Sequence, residues 1–132
     1  MGKFLTKLRT EKISEKDSVL LDPLQYQKGD KVYEAPRGFI TDFGSVPRVP
    51  IAYWLCGGVG DAECVLHDFG YRTGSMSKKE ADELLLDALL SNPEVPDWKA
   101  YAMYSMVVLF GGPSYKGRST EGEKYHELPV EP

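Results

Sequence analysis

The apolar residues of this 132-residue chain change their period at Asp61, and that change bounds what the chain can fold into. From Asp61 to Phe110 they recur at helical spacing, whereas before residue 50 they come in short runs broken by turn residues, as strands do. Three such runs are present: "FLTKLRTEKI" (4–13), "SVLLDPLQYQ" (18–27) and "KVYEAPRGFITDFGSVP" (31–47), the last two separated by a Gly29-Asp30 turn. Pro36, Gly38, Pro47 and Pro50 punctuate the third, so Thr41 to Pro50 is expected to be an irregular surface loop, the kind of segment that often carries a site.

Three helices are expected beyond it. Asp61 can cap a helix to about Thr73, with Gly74 as terminator. "SKKE" (77–80) is a capping box for a second helix, which Asn92-Pro93 ends. A third runs from about Asp97 to Phe110 and is almost wholly apolar after Lys99, which predicts that it is the buried centre of the fold. The expected fold class is therefore α+β: a small N-terminal antiparallel β-sheet followed by a three-helix C-terminal half. Within one domain, 1–132, residues 1–50 hold the strands and the "TDFGSVPR" loop, 61–110 the helices and 111–132 an extended Gly- and Pro-rich tail.

Composition narrows the function classes. A net charge of -4 supplies no basic excess for counterion release, so nucleic acid is not expected as a partner. No run approaches the roughly 20 apolar residues that cross a bilayer, so no transmembrane segment is expected. Two cysteines, Cys56 and Cys64, make no disulfide framework, and with His67 their spacing of eight fits no common zinc pattern.

The chemistry gathers on two helices. At 100° per residue, Ala62, Val65, Leu66 and Phe69 form the core face of the first helix, and Cys64, His67, Asp68 and Tyr71 fall on the other side. Such residues, in place of Lys, Glu or Gln, imply that this face is covered by protein or by a ligand. On the second helix Asp82 lies among Ala81, Leu84, Leu85, Leu86, Ala88 and Leu89, while Lys79, Glu80, Glu83 and Asp87 take the solvent face. A carboxylate among leucines must be paired. If the "GSMS" turn folds the two helices into a hairpin, Asp82 reaches His67 or Tyr71 and can orient the imidazole as a general base requires.

Thr41, Asp42, Ser45 and Arg48 form a third cluster, in "GFITDFGSVPR". Turn bonding by Asp42 and Ser45, or an Asp42–Arg48 pair that pins the loop, explains it as well as a site does. In "CGGVG" the backbone around Gly58 and Gly60 offers carbonyls for a hard cation or amides for an oxyanion. His67 itself has two readings, a catalytic base or a hydrogen-bonded structural histidine, and Tyr71 is as well placed for packing as for chemistry.

Two resemblances meet at these residues. "GFITDFGSVPR", "VLHDFGY" and "KKEADELLLDAL" resemble a family of small proteins of unassigned function found in tailed phages and prophages, over about residues 30–110. That resemblance implies synthesis in a host cytoplasm, with incorporation in a virion and virion or tail proteins as partners. More remotely, "DAECVLHDFGY" and "EADELL" resemble the active-site helices of calcium-dependent phospholipase A2, in its disulfide-free parvovirus capsid form. This second resemblance implies His67 as general base, Asp82 and Tyr71 orienting it, calcium on Asp68, and a phospholipid or other cell-envelope substrate. Asp42 could bring a second carboxylate to the metal, although "YWLCGGVGD" matches the phospholipase calcium loop only loosely. The function expected is thus a phage-type hydrolase of an ester or related envelope bond. The alternatives are a noncatalytic virion or tail-assembly component with a structural His-Asp network and a metal-dependent cell-wall hydrolase.

Overall fold

The computed structural model describes residues 2–15, 17–41, 61–112 and 115, with Phe110 described in its backbone alone. Six short strands precede three helices: β1 (Lys3–Phe4), β2 (Thr10–Lys12), β3 (Ser18–Leu20), β4 (Leu24–Lys28), β5 (Lys31–Ala35), β6 (Ile40–Thr41), α1 (Asp61–Thr73), α2 (Lys78–Leu90) and α3 (Asp97–Phe110). This is the α+β arrangement the sequence implies, with one correction: the strands form two antiparallel sheets, ordered β1-β4-β5 and β2-β3-β6. Each of the three runs divides between them. The run 18–27 gives β3 to one sheet and β4 to the other, because Asp22-Pro23 interrupts the ladder.

Gly29, at φ +62°, lets β4 turn into β5 in two residues, so Lys28 pairs with Lys31 and Tyr26 with Tyr33. The other sheet pairs Ser18 with Thr41 across β3 and β6, which puts the start of the "TDFGSVPR" segment against the helices.

Helix termini follow the local signals. Gly74, at φ +64°, ends α1 and donates its N–H to the Gly70 carbonyl. The Ser77 hydroxyl accepts the Glu80 N–H and starts α2. Only half of the expected capping box forms, because the Glu80 carboxylate turns instead to Lys31 and the Tyr33 hydroxyl of β5. The hairpin closes tightly since Gly70 leaves room for Met76, whose sulfur would lie 3.0 Å from any Cβ there.

One apolar cluster joins both sheets to α1 and α2 through Leu20, Tyr26, Phe39, Leu66, Tyr71 and Leu84. A second joins the three helices through Cys64, Leu85, Leu89, Ala100, Met103 and Val107. Burying each large side chain stabilises the fold by about 1.5–3 kcal/mol. α3 is not the buried centre that its apolar composition suggests. It packs through Ala100, Met103 and Val107 and leaves Trp98, Tyr101, Val108 and Leu109 exposed, Leu109 to 71%. Composition cannot locate a stripe on a helix that is apolar all round. No described helix is long and apolar enough to cross a membrane.

Candidate functional site

α1 is enclosed on nearly every side: Glu63, Cys64, Val65, Leu66, His67, Asp68, Gly70 and Tyr71 are all buried. Protein therefore covers the face that carries His67 and Tyr71, and α2 is the main cover. Asp82 and His67 are each 2% exposed. Rather than choosing between its two candidate partners, Asp82 takes both on one oxygen: His67 Nε2 lies 2.8 Å from Oδ1 and the Tyr71 hydroxyl donates to it at 2.6 Å. The imidazole and phenol rings lie against each other, 4.1 Å between centroids, as the spacing of one helical turn dictates.

The second oxygen of Asp82 belongs to a residue that the sequence reading passed over. The Lys78 ammonium donates to Oδ2 at 2.8 Å and to the Val107 carbonyl at 3.0 Å. Its signal was the separation of four from Asp82 on one helix. Lys78 sits at the rim, with its side chain 28% exposed.

These contacts set the protonation states. Burial pushes the His67 imidazole below its ordinary value and prevails over Asp82, which pulls it up. For Asp82 burial works to raise the carboxyl, but hydrogen bonds from His67, Lys78 and Tyr71 outweigh it and hold the group below the usual carboxylate range. Burial first, then the Asp82 carboxylate, push the Tyr71 phenol up, so it stays a donor. The pair at neutral pH is a neutral imidazole with its proton on Nε2 and an ionised Asp82. Among the described residues nothing bonds to Nδ1, which keeps the lone pair.

Asp68 occupies a separate pocket of contacts. Its Oδ2 accepts the Thr41 hydroxyl at 2.9 Å and its Oδ1 accepts Arg72 Nε at 3.0 Å, with the carboxylate 1% exposed. The structure thus brings Thr41 to the helices but joins it to Asp68, apart from the His67–Asp82 pair. A calcium ion takes six to eight oxygens. Among the described residues no cluster of three His, Cys, Asp or Glu side chains converges on a metal position, and Asp68 is already engaged by a guanidinium that opposes a dication. The described residues by themselves do not complete a calcium site. Asp42, Ser45, Arg48, Gly58 and Gly60, with Cys56, lie outside them.

Asp87, read as a solvent-face residue of α2, is half-buried: it accepts the Tyr26 hydroxyl of β4 and the Gly2 N–H. Helical periodicity does not show that the Tyr26 hydroxyl and the Gly2 N–H reach that face.

Comparison with curated proteins and with solved structures finds no match to either. A family model does match, over residues 18–107, which hold β3 to β6, the helical hairpin and most of α3 and leave out β1 and β2. The chain belongs to the family described as protein of unknown function DUF1353.

Proposed function

We propose that this chain is a phage- or prophage-type hydrolase in which His67, oriented by Asp82, acts as general base for attack of water on an ester or related bond of the host envelope. The observation that carries the reading is the 2.8 Å contact of His67 Nε2 with an Asp82 oxygen that also accepts the Tyr71 hydroxyl. Asp82 holds the Nε2–H tautomer and leaves Nδ1 to take a proton from water as that water attacks the carbonyl carbon. The imidazolium that forms is stabilised by the ionised carboxylate behind it. On collapse of the tetrahedral intermediate the ester C–O bond breaks and the proton passes from Nδ1 to the leaving alcohol. Lys78 and Tyr71 hold the carboxylate, and no step requires a metal.

A second reading, a noncatalytic virion or tail-assembly component, is favoured by the enclosure of His67 at 2% exposure. One experiment separates the two: release of fatty acid from mixed phospholipid vesicles, with release of soluble fragments from peptidoglycan as a parallel arm for a cell-wall substrate. Hydrolysis that is abolished in folded His67→Gln supports the enzyme. No release from either substrate by the folded wild type sinks it in favour of the assembly component. Calorimetric titration with calcium, on the wild type and on Asp68→Asn, tests the cofactor that the phospholipase resemblance implies.

A further inference from the structure

Lys78 enters the reading above only as a support, yet its geometry is unusual for a surface lysine. An exposed lysine four residues from an aspartate on a helix contributes a few tenths of a kcal/mol and is mobile. Here the carboxylate is 3% exposed, and the same ammonium also reaches the end of another helix, at Val107 O (3.0 Å) and Val108 O (3.4 Å). Those carbonyls lie in the last turn of α3, where the helix dipole favours a cation, and Val107 O also accepts the Gly111 N–H at 2.9 Å.

Asp82 is consequently held at both oxygens, by His67 and Tyr71 on Oδ1 and by Lys78 on Oδ2. A carboxylate held at one oxygen can turn about its terminal torsion, which is broad, whereas one held at both must break a charge-assisted bond to do so. The end of α3 also bears on the other side of the group. Gly111 follows it directly, and a Cβ there would lie 2.6 Å from the Tyr71 hydroxyl oxygen. Tyr115 packs edge-on against the Tyr71 ring and donates its hydroxyl to the Met76 carbonyl, tying the chain beyond α3 to the turn between α1 and α2.

We propose that Lys78 is a positioning residue of the His67–Asp82 pair: by fixing Asp82 Oδ2 against the C-terminal carbonyls of α3, it keeps Oδ1 aimed at His67 Nε2 and reserves Nδ1 for accepting a proton. Its catalytic meaning rests on the general-base reading above, whereas its geometric content stands without it.

The test is the two-bond proton–nitrogen correlation spectrum of the imidazole rings at neutral pH, in the wild type, Lys78→Met and Lys78→Arg. The chain has two histidines, so His67→Gln assigns the signals. The wild type is expected to show the single Nε2–H tautomer at His67. Lys78→Met loses it to a mixture, and Lys78→Arg, which still bridges carboxylate and carbonyl, restores it. A folded Lys78→Met with the wild-type pattern overturns the proposal. If Lys78→Met does not fold, the wild type decides: a distinct, slowly exchanging Lys78 ammonium signal supports anchoring, and its absence overturns it. On phospholipid vesicles Lys78→Met is expected to lower kcat about tenfold or more with KM within about twofold, since positioning accounts for part of the roughly 10²–10⁴ that a general base contributes. Altered ring spectra alongside an inactive wild type would retain the positioning role and remove the hydrolase. Unaltered spectra alongside an active wild type would do the reverse.

Discussion

Substitution of His67 by glutamine should flatten one limb of the chain's stability against pH. In the fold, burial holds the imidazole neutral below its ordinary value of 6.5, whereas in the unfolded chain it titrates near that value. Below about pH 6.5 the unfolded state therefore binds a proton that the folded state refuses, and stability falls as pH falls until the folded pKa is reached. With the folded ring still neutral, moving from about pH 7.5 to about pH 5.5 costs about 1.4 kcal/mol. Buried Glu63 works in the opposite sense. Burial raises its pKa above 4.5 despite the bond from Asn92, so its contribution is complete at low pH and is lost as pH rises through the raised value. The wild-type curve alone mixes these slopes, but His67→Gln leaves Glu63 in place, and its amide can still donate to Asp82. The quantity to measure is thus the difference between urea-unfolding free energies of wild type and His67→Gln across that range. A difference that moves against the wild type by about 1.4 kcal/mol toward acid supports a neutral buried ring. A flat difference would mean that Asp82 offsets burial and the folded ring titrates as the unfolded one does, against the lowered value. One that grows in the wild type's favour toward acid would mean that Asp82 outweighs burial and favours an imidazolium, which would deny His67 a lone pair for general-base work.

Asp82→Asn should destabilise the fold by about 3 kcal/mol at neutral pH in urea unfolding, because the Lys78 and His67 donors lose a charged acceptor. Since the Asp82 pKa is depressed in the fold, its contribution is present above the ordinary value of 3.8 and is lost as pH falls through the depressed value, so wild type and variant should converge in strong acid. Tyr26→Phe should cost about 1.5 kcal/mol by removing the hydroxyl donated to Asp87, read as a lower midpoint in thermal unfolding followed by circular dichroism. Ser77→Ala should cost about 1 kcal/mol by the same assay through loss of the α2 cap, and no change would place the stability of that terminus in the Glu80 contacts with β5 instead.

The sequence by itself determined what depends on neighbours along the chain. Gly29 and Gly74 mark the turns because each needs a positive φ, Ser77 starts α2, and Asp82 among leucines announces a buried carboxylate that must find partners. His67 and Tyr71 were legible as its partners because a short turn folds α1 against α2, so their meeting is nearly local. Tertiary structure alone decided which contacts cross between distant elements. It divided the strands between two sheets, turned one side of α3 to solvent, and gave the Asp87 carboxylate to the Tyr26 hydroxyl and the Gly2 N–H. It also gave the Asp68 carboxylate to Thr41 and Arg72, and brought the end of α3 to Lys78. The physical reason is that periodicity fixes which residues share a face, whereas what covers that face depends on chain segments whose approach no spacing records.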